Sequence, residues 1–398
     1  MLNQQEIQTS DQAQNFWRAL PRPIIGLAPM DGITDHPFRY IQKKYGNPAV
    51  MYTEFTSVEA LCHGDWQSMN HLLYDESQRP IIAQIYGRTP LYFRQIAVLL
   101  CELGFDGIDI NMGCPAKSVA NGGCGAGLIR TPDRAQEIIR AVQDGIQDWQ
   151  NGATVANCPN ISRRFIPYTT TWHERLPAPY RQRRPIPVSV KTRIGYDSPV
   201  VDAWIPRLLE MEPAVITLHG RTLRQAYSGR ADWDQIGRAA ELAKATNTLI
   251  LGNGDVASLA DAESRTATYG VDGSLIGRAS MGKPFLFRKA EPEPEKTAKS
   301  SYGPDLSHIA LEHAYLYEAT FRTYDHYRFL PMRKHLAWYI RDVRGANHLR
   351  ASLVQTRSPQ EAEALLRQHK TLSNGVYQSL LPDGATGASG PGGTHDFT

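Results

Sequence analysis

The distribution of apolar and polar residues along the chain predicts an α/β fold: a closed (β/α)8 TIM barrel followed by a small all-helical C-terminal domain. Two observations predict it. Eight short, β-rich apolar runs recur between Ile24 and Arg278, most of them separated by stretches of helical period, and such alternation builds parallel βαβ units. Nearly every run also ends in a chemically useful group at its C-terminal edge. A closed barrel assembles its active site at that single rim, whereas an open doubly wound sheet gathers such groups at its switch point.

The expected strands are 24–28, 50–54, 81–85, 107–111, 187–191, 215–219, 249–253 and 274–277. Their C-terminal edges carry Pro29 and Met30, Glu54, Gln84, Asn111, Lys191, His219, Asn253 and Arg278. The clearest helices between them are 91–103, 132–149, 200–211 and 233–245, where apolar residues recur at helical spacing. The barrel is expected over 21–290, after an N-terminal extension of residues 1–20. A segment at 151–184 breaks the rhythm. It has several prolines, little apolar periodicity and six arginines against one acid, Glu174. It falls between a helix and the next strand, and is expected as a solvated basic surface insertion on the face opposite the site.

Residues 291–304 are rich in Pro, Glu, Lys and Ser and read as a linker. A helical domain is expected over 305–382, with helices at 306–324, 330–343 and 359–369. Its middle is basic: between Arg322 and Arg357, Arg and Lys exceed Asp by six, with Tyr324, Tyr327, Trp338 and Tyr339 interleaved. That mixture suits phosphates and unpaired bases, and equally suits a solvated face over an aromatic core. The Gly- and Ser-rich tail, 383–398, is expected to be disordered.

Bulk properties narrow the classes. The chain has 398 residues, 41% apolar and 21% charged, with a formal charge of +3. That is room for a large core plus an accessory domain. No apolar run is long enough to span a bilayer. The first twenty residues hold no apolar signal core, so a cytoplasmic protein is expected. The five cysteines (62, 101, 114, 124 and 158) form no Cys-x-x-Cys pair, so reduced thiols and no bound metal are expected. A monomer is expected.

Chemistry concentrates at the rim. Cys114 and Pro115 follow the 107–111 strand, and a thiol over a barrel mouth can act as nucleophile or proton donor. Cys124, among glycines, reads instead as a small packed residue. Lys191 and His219 converge on one centre, where an anion would satisfy them. Gly252-Asn253-Gly254-Asp255 and Gly277-Arg278 follow the seventh and eighth runs, the usual phosphate-binding loops of such barrels. A cofactor with a phosphate at one end and an electron-accepting ring at the other fits. FMN and pyridoxal phosphate both meet that description.

These residues resemble the tRNA-dihydrouridine synthase family. The matching stretches are Ala28-Pro-Met-Asp-Gly-Ile-Thr-Asp35, Ala83-Gln-Ile-Tyr-Gly87, Asp109-Ile-Asn-Met-Gly-Cys-Pro115, Val190-Lys-Thr-Arg193, His219-Gly-Arg-Thr222 with Tyr227-Ser-Gly-Arg-Ala-Asp-Trp233, Gly252-Asn-Gly-Asp255 and Gly277-Arg278. The resemblance implies FMN in the barrel mouth. Pro29, Met30 and Asp31 would border it, and Gln84 and Asn111 would bond it. Lys191 and His219 would meet its ring and ribityl chain. Asn253, Gly254, Asp255, Gly277 and Arg278 would hold its phosphate. It also implies Cys114 as the catalytic proton donor, NADPH as reductant and tRNA as substrate. Arg333, Lys334, Arg341 and Arg344 of the helical domain would contact that tRNA. The insertion at 151–184 departs from the family pattern. Two other readings keep the same residues: an FMN barrel acting on a free pyrimidine, like a dihydroorotate dehydrogenase, and a tRNA-binding protein whose barrel is inactive.

Overall fold

The computed structural model describes residues 15–116, 122–289, 306–324, 327–341 and 347–368. The expected linker and C-terminal tail, most of the N-terminal extension and Arg344 lie outside those residues. The chain forms two compact units, Met1–His36 with Pro48–Ala279, and Pro37–Asn47 with Ser280–Thr398.

In the first unit, β1 (Ile24–Leu27), β2 (Met51–Tyr52), β4 (Ile81–Tyr86), β5 (Gly107–Met112), β6 (Val188–Arg193), β7 (Val215–His219), β8 (Leu249–Asn253) and β9 (Gly273–Ile276) pair in the order β1-β9-β8-β7-β6-β5-β4-β2, while β3 (Thr56–Ser57) adds a short pairing to β4. All the pairings are parallel. The ring closes between the first and last strands of that order. The Leu27 amide donates to the Val50 carbonyl and the Ala49 amide to the Ile25 carbonyl, both at 3.0 Å. The expected eight-stranded barrel is therefore present, with its second strand reduced to two residues.

Strand side chains alternate between faces, so the sequence stacks the barrel interior in layers. The lowest layer is apolar: Ile24, Val50, Tyr52, Ile82, Val215, Leu251 and Leu275 share one core with Trp17. Two residues further along β4, β5 and β6 stand Gln84, Asp109 and Ser189, opposite one another in register. Two further again stand Asn111 and Lys191, and His219 and Asn253 end β7 and β8 at the rim. Trp17, within the expected N-terminal extension, belongs to this core. Helix α1 (Phe16–Ala19), capped by Asn15, carries it fully buried into the barrel's core.

Around the ring, α5 (Pro90–Glu102) and α6 (Pro132–Gln150) pack closely, each opened by a proline where a missing amide costs nothing. Gly145 permits their approach, since a Cβ there would lie 2.0 Å from the Arg94 carbonyl oxygen. The short helices α3 (Val58–Cys62) and α4 (Trp66–Asn70) precede β4 and are capped by Ser57 and Asp65. Helices α9 (Val201–Leu209), α10 (Trp233–Ala243) and α11 (Leu259–Tyr269) complete the ring, with α2 (His36–Tyr45) lying mostly in the second unit.

The insertion differs from its expectation. It holds α7 (Ile166–Arg175) and α8 (Ala178–Arg181) and buries Val155, Cys158, Ile161, Phe165 and Leu176. Trp66 meets the Phe165 and Tyr168 rings edge-on, and the Trp172 indole donates to the Leu103 carbonyl at 3.0 Å. Arg183 donates to the Trp149 and Ala153 carbonyls, and Arg184 to that of Phe105. Leu103 and Phe105 precede β5, at the end of the barrel away from the strand C-termini. The insertion is thus a packed buttress and not a solvated loop. Its anchors are divided between 3₁₀ turns, loop positions and α7, and so share no single helical period.

In the second unit, α12 (Ser307–Phe321), α13 (Leu330–Tyr339), α14 (Asn347–Leu353) and α15 (Pro359–Gln368) surround Ile309, Leu311, Met332, Leu336, Leu353 and Leu366, joined by Ile41 of α2. Helix α14 had no counterpart in the expected elements, because its seven residues are too few for a periodic signal. No helix among the described residues is long and apolar enough to cross a membrane.

Candidate active site

The rim brings together most of the expected site residues. Lys191 donates from Nζ to Asn253 Oδ1 at 3.0 Å, and Asn253 Nδ2 donates to the Leu275 carbonyl at 2.9 Å. Burial, then the neighbouring Arg193, bring the Lys191 ammonium down to about 8. His219 follows on β7. Burial and the cations of Arg193, Lys191, Arg221 and Arg278 hold its imidazole well below the usual range, so it is neutral at physiological pH. Arg193 is buried without a carboxylate: Nε donates to the Gly113 carbonyl at 2.6 Å and Nη1 to that of Thr222 at 3.2 Å. Burial lowers it to about 10.

On the adjoining strands β5 and β4, Gln84 Nε2 donates to Asp109 Oδ2 at 2.7 Å, and Asn111 Nδ2 donates to Gln84 Oε1 at 3.0 Å. Asn111 Oδ1 accepts the amides of Gly113 and Cys114, at 3.0 and 2.8 Å. Cys114 is buried, and burial pushes its thiol above the usual range. It therefore keeps its proton near neutral pH, which suits an acid better than a thiolate nucleophile. Cys124 lies on the same loop system, where the Ala126 amide donates to the Cys114 carbonyl at 3.4 Å. It too is buried and raised by burial.

The β1 loop closes this side. The Gly32 amide donates to Glu54 Oε1 at 2.5 Å and the Met30 amide to Thr34 Oγ1 at 3.0 Å. Pro29 and Met30 are half-buried and Asp31 is exposed. Asp31 comes close enough to Cys114 to help raise its thiol, after the larger effect of burial.

The loops after β8 and β9 continue the rim beside the β1 loop. Gly254 has φ +120°, and a Cβ there would lie 2.7 Å from the Ala231 Cβ and 2.9 Å from His219 Cδ2. A Cβ on Gly277 would lie 3.4 Å from Met30 Sδ. Both positions leave backbone open to close approach. The Asp255 carboxylate is already committed: it accepts from Arg221 and from the Ala231 amide, with Arg278 at 3.3 Å. Burial would raise its carboxyl, but the Ala231 amide and Arg221 outweigh that and hold it below the usual carboxylate range. Its side chain anchors Arg221, which leaves its backbone amide for any ligand. Arg221 Nη1 is buried and has no hydrogen-bond partner.

Asp109, Arg193, Arg221 and Glu54 stand in the quoted motifs or at the rim, yet received no role from sequence. For Asp109 a signal existed. Strand alternation puts it on the same inward face as Asn111, where a carboxylate demands partners.

The basic residues of the helical unit divide. Arg333 donates from Nε to the Thr356 carbonyl at 2.7 Å and from Nη2 to that of Gln355 at 3.2 Å. Its guanidinium ties α13 to the turn after α14. Arg341 is exposed, and its backbone carbonyl accepts from Arg350. Lys334 is half-buried on α13.

Residues 26–151 and 178–374 match the family model described as dihydrouridine synthase, and the gap between those spans falls inside the insertion. A probable tRNA-dihydrouridine synthase of Staphylococcus aureus (strain COL) is 34% identical over 360 residues, covering 89% of this chain and 95% of that protein. Probable tRNA-dihydrouridine synthase 2 of Bacillus subtilis (strain 168) is 35% identical over 358 residues, covering 89% and 96%. With this match running through both units and every rim motif in place, the chain belongs to the dihydrouridine synthase family.

Proposed function

We propose that this chain reduces uridine in tRNA to 5,6-dihydrouridine in the cytoplasm, using FMN in the barrel mouth, NADPH as reductant and Cys114 as proton donor. One observation carries the reading: a buried thiol that keeps its proton stands on a loop pinned by Arg193, at a rim where two enclosed cations make no hydrogen bond to a carboxylate. Arg193 and Lys191 have only neutral partners, and Arg221 keeps an unpartnered nitrogen. Cations placed so fit an anionic cofactor. Gly254, Gly277 and Arg278 would receive a phosphate, with backbone amides and one guanidinium. Lys191, His219 and Asn253 would line the ring and its chain, with Asn111 and Gln84 on the adjoining strands.

When bound, FMN supplies two-electron transfer, from NADPH to carbon 6 of the uracil ring. Cys114 Sγ gives its proton to carbon 5. The thiolate left behind lies in the field of Arg193 and Lys191, and a solvent proton restores it. The neutral His219 can donate or accept a hydrogen bond without adding charge. A base must leave its stack to reach this rim. The family match continues through the helical unit, which a free pyrimidine would not require, and this favours tRNA as substrate.

The test is Cys114→Ala in purified protein. FMN should remain bound and reducible by NADPH, while uridine reduction slows by about 10²–10⁴-fold, the usual worth of a general acid. Cys124→Ala should do far less. Equal losses in the two variants, or a protein that takes up no flavin, would sink the reading.

A further inference from the structure

The loop that carries Cys114 hangs from two side-chain amides, and an amide is nearly symmetrical in shape but not in hydrogen bonding. Turning it over exchanges two donors for an acceptor. Something must decide which way Gln84 and Asn111 face. Asp109 is fully buried on β5, and as a carboxylate it only accepts. Its Oδ1 accepts from Ser189 Oγ at 2.6 Å and its Oδ2 from Gln84 Nε2 at 2.7 Å. Gln84 must then turn Oε1 the other way, where it accepts from Asn111 Nδ2 at 3.0 Å. Asn111 is left presenting Oδ1, which takes both the Gly113 and Cys114 amides. With Asn111 reversed, an NH₂ would face two backbone N–H groups, and both bonds would be lost. Arg193 grips the same loop at the Gly113 carbonyl, so a reversed Asn111 would leave the loop held from one side only.

We infer that Asp109 is a positioning residue for the reaction: acting through Gln84 and then Asn111, it fixes the direction of both amides and so the place of the Cys114 thiol. The inference rests on the reading of Cys114 as proton donor. It assigns to the layer beneath the rim a task distinct from holding the barrel together.

The experiment separates the two half-reactions of the flavin-loaded enzyme by stopped flow. Reduction by NADPH needs no proton from Cys114, whereas reoxidation by tRNA does. Asp109→Asn is nearly isosteric but can donate, so it releases the direction of the relay. It should slow reoxidation by about 10²-fold, the scale of a misplaced catalytic group, with flavin still bound and its reduction by NADPH slowed far less. Ser189→Ala removes the other bond to the same carboxylate without touching the relay, and should alter reoxidation by less than about threefold, as expected for losing one ordinary hydrogen bond. On a Cys114→Ala background, Asp109→Asn should add no further slowing, because residues that act through one another are not additive. The paired swap Gln84→Glu with Asp109→Asn restores an acceptor facing Asn111, and its reoxidation should recover most of the loss. The inference is overturned if Asp109→Asn slows both half-reactions alike, if it slows the Cys114→Ala enzyme as much as the parent, or if the paired swap is no faster than the single variant. If Cys114→Ala itself reoxidises at the parent rate, the proton-donor reading falls first and takes the relay with it.

Discussion

Both carboxylate oxygens of Asp255 accept from a single nitrogen of Arg221, Nη2, at 2.8 and 2.6 Å. The arginine side chain is 3% exposed and the aspartate 30%. Removing the acid would strand a buried guanidinium. Asp255→Ala should therefore cost about 2–3 kcal/mol of stability, somewhat under the value for a fully buried pair, and should loosen flavin. Denaturant unfolding and flavin release both read this. An Asp255→Ala protein as stable as the parent would show that Arg221 does not depend on it.

Lys191 gives the site a pH dependence with a defined sign. Its ligand-free value is lowered to about 8, and an anion binds the ammonium form. Above pH 8 the protein must take up a proton to bind such a ligand. Affinity for FMN should therefore fall as pH rises past 8, by up to about tenfold per pH unit. Lys191→Met should bind more weakly and lose that slope. Titrations giving one affinity from pH 7 to 9.5 in the parent would contradict the role assigned to the ammonium.

The buttress can be tested at its centre. Phe165 is fully buried and meets Trp66 edge-on. Phe165→Ala should cost about 3–5 kcal/mol, as for other buried aromatics. Arg163 and Arg164 are exposed, and replacing both with Ser should change stability by no more than about 0.5 kcal/mol each. Thermal melts that rank these variants the other way would return the insertion to the class of solvated loops.

The two arginines of the helical unit should behave differently toward tRNA. Arg341→Ala should reduce the slope of log affinity against log salt by about 0.7–0.9, the loss of one phosphate contact. Arg333→Ala should leave that slope alone and instead lower stability by about 1–1.5 kcal/mol, for its bonds to the Thr356 and Gln355 carbonyls. A slope change in Arg333→Ala without loss of stability would make it an RNA contact and not a structural tie.

Much of this was legible in the sequence, for identifiable reasons. The barrel strands announce themselves because each carries a short apolar run that ends in a polar group. The rim residues Asn111, Lys191, His219 and Asn253 follow from those endings. What escaped was set by tertiary partners. Arg333 stands in a basic stretch, but its bonds to the Gln355 and Thr356 carbonyls depend on a turn that only the folded chain brings within reach. Trp17 looks like part of a tail until the barrel floor receives it. The insertion's anchors are scattered over turns with no common period. Asp255 sits in a phosphate-loop pattern, yet its side chain serves an arginine brought from another strand's loop.

The brevity of β2 has a consequence for how the barrel breathes. Every other junction of the ring is a strand ladder, but the junction to β1 rests on the Leu27 and Ala49 amides. Opening a ring at its thinnest seam exposes the least backbone. In native-state deuterium exchange, these two amides should exchange earliest among the strand-to-strand bonds of the barrel, through excursions smaller than global unfolding. The loops carrying Met30 and Glu54 leave the ring on either side of that seam. A transient parting there would widen the mouth beside the Gly32–Glu54 bond without disturbing the ladders that hold Asn111, Lys191 and His219.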